Sequence, residues 1–216
     1  MQRYKDNGYK RDAIQGILTG LPDGVPCYFP IGIEAHGMGI EVTKKDTSYS
    51  VAVFNRGKGV EKHGGKSEDD PPKYPVAICY TLNEAQFDAL KGVINNPGST
   101  IDALYEKLME GKKEGKEYPL MSEQKTGSCS TMWVDAYMRY LCHQKFPDSE
   151  TAAEKLYLAY RKAELEMDIA ILDGHKNEGL NELEPYIKHA QQKLERRNAQ
   201  IAALAPPRSG RPRGLC

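Results

Sequence analysis

The spacing of apolar residues changes once along this chain, and that change limits what the chain can fold into. Gly39 to Thr43 alternates around Ile40 and Val42. After a polar Lys44-Lys45-Asp46-Thr47 turn, Tyr49, Val51 and Val53 resume the period of two, and Val76, Ile78 and Tyr80 repeat it. A period of two lines one face of a strand, so residues 31–55 predict a β-hairpin and Tyr74 to Tyr80 a third strand. From Thr81 onward the period is three to four. Phe87, Leu90, Val93 and Ile94 form one apolar stripe, and Ile101, Leu104, Tyr105 and Leu108 form a second. Trp133, Tyr137 and Tyr140-Leu141 continue the spacing in a helix expected to start near Cys129. Strands first and helices after predict an α+β fold, a small antiparallel sheet packed against the Cys129 helix.

The boundaries follow from punctuation. Thr81 with Glu84 and Ser99 with Asp102 have the three-residue offset of a capping box, which predicts helix starts there. Residues 1–30, with Gly20, Pro22, Gly24, Pro26 and Pro30, read as a lead-in with one short helix around Arg11 to Leu18. Arg56 to Lys73 reads as an exposed loop, Lys112 to Glu117 as a solvated turn, and Tyr118 to Met121 as a short strand. Ser149 to Leu172 and Glu184 to Leu204 are long patterns without strands, a C-terminal helical hairpin broken at Asp173-Gly174-His175 and Asn177-Glu178-Gly179. The expected organisation is therefore an α+β domain over 1–147, the hairpin over 148–205, and a Pro/Arg-rich disordered tail over 206–216.

Thirty Lys+Arg balance thirty Asp+Glu. A net charge of zero removes the long-range attraction that non-specific nucleic-acid or anionic-membrane binding needs, so no nucleic acid is expected as a partner. Apolar runs such as Val51 to Phe54 and Ile169 to Leu172 are far shorter than the roughly 18 to 20 residues of a membrane span. The first residues lack the apolar stretch of a signal peptide, and five scattered Cys do not describe a disulfide framework. The expectation is a soluble protein with reduced thiols. No Cys/His cluster has the paired spacings of a zinc site, and Val60 to Ser67 only approaches a phosphate-binding G-x-x-x-x-G-K-S loop. The acidic, proline-broken stretch after it does not predict the helix such a loop requires. No metal or cofactor is expected.

Cys129 is the candidate nucleophile. A thiol in the first turn of a helix faces unpaired N–H groups and the positive end of the dipole, which favour thiolate. Cys27, Cys79 and Cys142 read as small apolar residues of the interior. His36, flanked by Gly37 and Gly39 just before the hairpin's first strand, has an open setting for a general base. Asn55 ends the second strand, where antiparallel pairing can bring it beside His36 to orient the ring. Gln124, five residues before Cys129, can offer an amide to an oxyanion at the head of the Cys129 helix.

The order His36 in E-A-H-G-M, Asn55 in V-F-N-R-G, and Gln124 with Cys129 in Q-K-T-G-S-C resembles the SUMO-protease and adenovirus-protease superfamily of cysteine peptidases. Its bacterial-effector branches include deubiquitinases and serine/threonine acetyltransferases. The resemblance covers about residues 31–143. It implies a papain-like arrangement in permuted, His-first order. It also implies cysteine-dependent acyl transfer on a protein or peptide substrate, with ubiquitin-like conjugates among the candidates and acetyl transfer as the variant. Cytoplasmic action, or action after delivery into a host cell, goes with it. Gly37 and Ser130 stand where many members have an aromatic residue and a glycine, and Asn55 where a carboxylate is more usual. The alternative is a non-catalytic interaction module with a decayed site, in which the C-terminal hairpin binds a partner.

Overall fold

A computed structural model describes residues 14–65, 67–68, 72–116, 118–123, 129–177 and 181–204, the side chains of residues 129–132 and 181 excepted. The expected tail lies outside the described residues. The chain divides into two compact units, one ending at Leu141 and one beginning at Cys142.

The first unit mixes helices and strands. In chain order it contains a helix over residues 14–19 (α1), β1 Pro26–Ile33, β2 His36–Lys45, β3 Ser48–Phe54, a 3₁₀ turn Val60–His63, β4 Lys73–Pro75 and β5 Ala77–Asn83. Then come α2 Glu84–Asn95, α3 Ile101–Met109, β6 Lys112–Lys113, β7 Leu120–Ser122 and α4 Cys129–Lys145, which carries the chain across the boundary. Five strands form one antiparallel sheet in the order β1-β2-β3-β5-β6, and β4 pairs antiparallel with β7 in a second, two-stranded sheet. An α+β fold with a small antiparallel sheet is thus what forms.

The alternation of each strand assigns its two faces. Phe29, Ile31 and Ile33 of β1, Met38, Ile40 and Val42 of β2, Val51 and Val53 of β3, and Ile78, Tyr80 and Leu82 of β5 turn to one side. There they form a single core with Phe87, Leu90 and Ile94 of α2 and Ile101, Leu104, Tyr105 and Leu108 of α3. These are the two stripes visible in the sequence, each buried as a helix face with about 1.5–3 kcal/mol per large side chain favouring the folded state. The opposite face carries Tyr28, Gly39, Glu41 and Phe54, and it receives α4. Tyr28 stacks on Tyr137 with ring centroids 3.8 Å apart, and Phe54 meets Tyr137 and Tyr140 edge-on, each at 5.0 Å.

Several expectations need correction. The lead-in contains β1, hidden in the sequence by Pro26 and Pro30. Both prolines are tolerated because β1 is the sheet's edge strand, where a missing N–H breaks no ladder. His36 is the first residue of β2 rather than a residue before it. The cap of α2 is Asn83, two residues past Thr81. Asn83 Oδ1 accepts from Gln86 N and Gln86 Oε1 accepts from Asn83 N, both at 2.9 Å, because β5 runs on through Thr81 and Leu82 before the helix can begin. Thr100, not Ser99, caps α3 by accepting from Ala103 N at 3.1 Å. The expected third strand breaks at Val76 into β4 and β5, and Lys112-Lys113 forms a short edge strand against Tyr80 and Thr81 instead of a free turn. Lysines suit that position because they discourage pairing with another chain.

The second unit contains α5 Glu150–Asn177, a 3₁₀ turn Asn181–Leu183 and α6 Glu184–Ala203. The two helices pack against each other as the expected hairpin, with Ala153, Tyr157, Leu158 and Leu165 of α5 and Ile187 and Ala190 of α6 buried. Asp173-Gly174-His175 does not break α5. No atom lies within 4 Å of where a Cβ at Gly174 would sit, so this glycine is a solvent-facing helix residue rather than a stop. Among the described residues no helix is long and apolar enough to cross a membrane.

Leu104 is wholly buried in the core between α3 and the sheet. Leu104→Ala is expected to cost about 2–5 kcal/mol in denaturant unfolding. Met167→Ala, at a side chain 59% exposed on α5, should change stability by less than about 0.5 kcal/mol.

Candidate functional site

His36 and Asn55 meet at one end of the large sheet. The antiparallel register of β2 and β3 pairs Gly39 with Phe54, which sets the chain on each side of that pair to converge. His36 Nε2 lies 2.7 Å from Asn55 Oδ1. His36 is nearly buried and Asn55 is wholly so.

The turn ahead of His36 is fixed by an unusual backbone. Glu34 and Ala35 have φ of 50° and 60°, the left-handed region, between the paired Ile33 and His36. Positive φ at both central residues suits the twist of a two-residue hairpin but disfavours non-glycine residues. The Glu34 carboxylate offsets this by holding on elsewhere. It accepts from Ile101 N at 3.2 Å, at the first residue of α3, and from Lys58 Nζ at 2.9 Å. These donors keep its carboxyl below the usual range.

Asn55 uses its full hydrogen-bonding capacity. Oδ1 accepts from His36 Nε2 and from Gly57 N, the latter at 2.9 Å. Nδ2 donates to the Lys58 carbonyl at 2.8 Å and to Tyr105 Oη at 3.2 Å. A flipped amide would set NH₂ against the Gly57 N–H and C=O against the Lys58 C=O, so the partners fix its orientation. His36 therefore carries its proton on Nε2, and in the neutral ring Nδ1 is the basic nitrogen. Gly57 closes over the imidazole. A Cβ there would sit 2.5 Å from His36 Cε1, so only glycine allows the approach.

α3 and α4 approach this end of the sheet from opposite faces. Trp133 of α4 covers Gly39, where a Cβ would sit 2.8 Å from the indole Cε3. Asp135 bonds Arg56, the residue after Asn55, at 2.7 Å, and Arg56 also donates to the Ser122 carbonyl. Further along α4, Tyr137 and Tyr140 donate to Glu41 at 3.1 and 3.4 Å, and burial pushes that carboxyl's pKa up. Cys129 is the first residue of α4, four residues before Trp133. Its side chain and the whole of Gln124 lie outside the described residues.

The remaining described thiols have other surroundings. Cys79 is buried, accepts from Tyr118 Oη at 3.0 Å, and is pushed up to about 12, chiefly by burial. Burial also raises Cys142, while Cys27 is half-buried. Neither Cys79 nor Cys142 is poised to ionise near neutral pH.

Two site residues escaped the sequence reading. His63, expected in an exposed polar loop, is buried at the end of the 3₁₀ turn, and Tyr105 was visible only as part of an apolar stripe. Tyr105 Oη lies 2.9 Å from His63 Nε2, and His63 Nδ1 lies 2.8 Å from the Pro75 carbonyl oxygen. No local pattern in V-E-K-H-G-G announces a buried ring, because the burial comes from β4 and α3, distant in sequence. Among the described residues no group of three or more His, Cys, Asp or Glu side chains is disposed to hold a metal ion. No protein-family model and no curated protein matches this chain.

Burial lowers the His63 pKa from 6.5 to about 4. The unfolded chain therefore binds this proton at higher pH than the folded one. The associated stability is complete above about pH 6.5 and is lost as pH falls toward 4, on the order of 3 kcal/mol in all. Denaturant unfolding across that window should show a smaller decline in His63→Leu than in the unaltered protein. Identical declines would contradict the assignment of a neutral buried His63.

Proposed function

We propose that this chain is a cysteine-dependent acyl-transfer enzyme with a papain-like site in His-first order, akin to the SUMO-protease and adenovirus-protease superfamily. The observation that carries the reading is the His36–Asn55 pair, in which Asn55 holds Nε2 protonated and leaves Nδ1 as the base. A thiol peptidase needs that division of labour, with one ring nitrogen anchored and the other turned to the nucleophile.

In this mechanism Nδ1 of His36 takes the Cys129 thiol proton and the thiolate attacks the substrate carbonyl. The Cys129 backbone N–H and the Gln124 amide stabilise the tetrahedral oxyanion. The imidazolium then protonates the leaving amine, and water, deprotonated by the same ring, releases the acyl group. Asn55 orients the imidazolium without contributing charge.

The contacts of α4 support this assignment. Trp133 and Asp135, near its amino terminus, engage Gly39 and Arg56, neighbours of His36 and Asn55. Gly37 carries no side chain and, by the alternation of β2, faces the α4 side. The substrate class is a peptide or isopeptide bond in a protein, ubiquitin-like conjugates included, with acetyl transfer as the nearest variant. Action in the cytoplasm, or in a host cell after delivery, belongs to the same reading.

A second reading, a non-catalytic interaction module, is favoured by the apolar residues that the second unit leaves uncovered. Met167, Ile171 and Tyr186 are each more than half exposed, and a pocket of about 320 Å³ lies between α5 and α6 beside Leu165, Leu172 and Ala190.

Turnover of C-terminal aminocoumarin amides of peptides and ubiquitin-like proteins separates the two. Cys129→Ala should reduce it to background while circular dichroism and the unfolding midpoint stay unchanged. Turnover that survives in a folded Cys129→Ala protein, or that is absent from the unaltered protein across the whole set, favours the interaction module.

A further inference from the structure

We infer that Tyr105 and His63 are positioning residues that act with Gly57 and Lys58 to hold the proton on Nε2 of His36 through Asn55, and that this set of partners dictates an amide rather than a carboxylate at position 55. The catalytic consequence rests on the acyl-transfer reading. The hydrogen-bond chain itself rests on geometry alone.

The direction of every bond follows from one end. The Pro75 carbonyl can only accept, so His63 Nδ1, 2.8 Å away, must carry a proton. The ring is buried, and with its pKa held near 4 it is uncharged at neutral pH, which leaves a lone pair on Nε2. Tyr105 Oη, 2.9 Å from that nitrogen, donates its only proton there and turns lone pairs to the other side. Asn55 Nδ2 gives one proton to Tyr105 Oη at 3.2 Å and the other to the Lys58 carbonyl at 2.8 Å. The last link is His36 Nε2 donating to Asn55 Oδ1 at 2.7 Å.

Position 55 thus faces acceptors on one side, the Tyr105 oxygen and the Lys58 carbonyl, and donors on the other, Gly57 N–H and His36 Nε2–H. An amide matches both sides. A carboxylate would meet two acceptors with no proton to offer, and an unsatisfied buried acceptor pair is costly. Turning the Tyr105 hydroxyl toward it would leave the His63 Nε2 lone pair facing an oxygen lone pair. The chain therefore selects Asn where a charged residue would otherwise be the stronger partner for an imidazolium. The geometry ties the tautomer of a surface-proximal histidine to a second histidine in the interior, with no contact between the two rings.

The unaltered full-length protein provides the first test. Long-range ¹H–¹⁵N spectra of uniformly labelled protein near neutral pH should show the neutral forms of His36 and His63 as opposite tautomers, His36 protonated at Nε2 and His63 at Nδ1. His63 protonated at Nε2, or His36 at Nδ1, overturns the inference without any variant having to fold. Tyr105→Phe removes one oxygen. With the Gly57 N–H and the Lys58 carbonyl still orienting the amide, it should admit a minor population of the other His36 tautomer and lower kcat by up to about tenfold, the equivalent of one buried hydrogen bond, with KM little changed. A folded Tyr105→Phe protein with an unaltered His36 tautomer contradicts the positioning role. Asn55→Asp should lower kcat, and a rise would contradict the account of the amide. Failure of the acyl-transfer reading appears separately, as turnover indifferent to Cys129, and leaves the tautomer measurement standing or falling by itself.

Discussion

The first unit is organised around a buried amide. Asn55 makes four hydrogen bonds from a side chain with no contact with solvent, and the partners come from three parts of the chain: β2 through His36, the loop after β3 through Gly57 and Lys58, and α3 through Tyr105. An amide buried without partners would cost several kcal/mol, so the loop can close over residue 55 only when all four are in place. Gly57 permits that closure by its lack of a Cβ. Glu34 reinforces it from outside by joining the turn before His36 to both Lys58 and the start of α3. The end of the sheet is therefore rigid for reasons of polar accounting as much as of apolar packing.

The apolar packing supplies the frame. Because the strands alternate, the same sheet buries an aliphatic face under α2 and α3 and an aromatic one under α4. His36 and Asn55 lie where both layers end. α3 contributes Tyr105 from one side, and α4 brings Trp133 and Asp135 from the other. In the proposed enzyme the two layers have separate roles: the α3 side orients the base, and the α4 side carries the nucleophile.

Much of this frame was legible in the sequence because it rests on local periodicity. Ile40 and Val42, Val51 and Val53, and Ile78 and Tyr80 announced their strands, and the stripes of α2, α3 and the C-terminal hairpin announced their helices. What escaped was set by partners distant in sequence. β1 alternates at Phe29, Ile31 and Ile33, but its prolines and glycines read as loop until β2 is seen beside it. The caps shifted to Asn83 and Thr100 because strand pairing and chain direction, not the three-residue offset, decide which residue is last before the helix. In the candidate site, His36 and Asn55 could be paired from the sequence, since a hairpin brings the ends of its strands together. Tyr105 and His63 could not. A tyrosine in an apolar stripe carries no sign that its hydroxyl is used, and a histidine among glycines and lysines carries no sign that it is buried.

The central claim is that His36 acts on Cys129. Its most direct test is the rate at which iodoacetamide alkylates Cys129 between about pH 4 and 9, resolved from the other four thiols by mass spectrometry, in the unaltered protein and in His36→Ala. The account predicts a thiolate that persists well below the roughly 8.5 of a free cysteine and is lost with His36. A Cys129 that reacts like an ordinary thiol, or in the same way with and without His36, contradicts it.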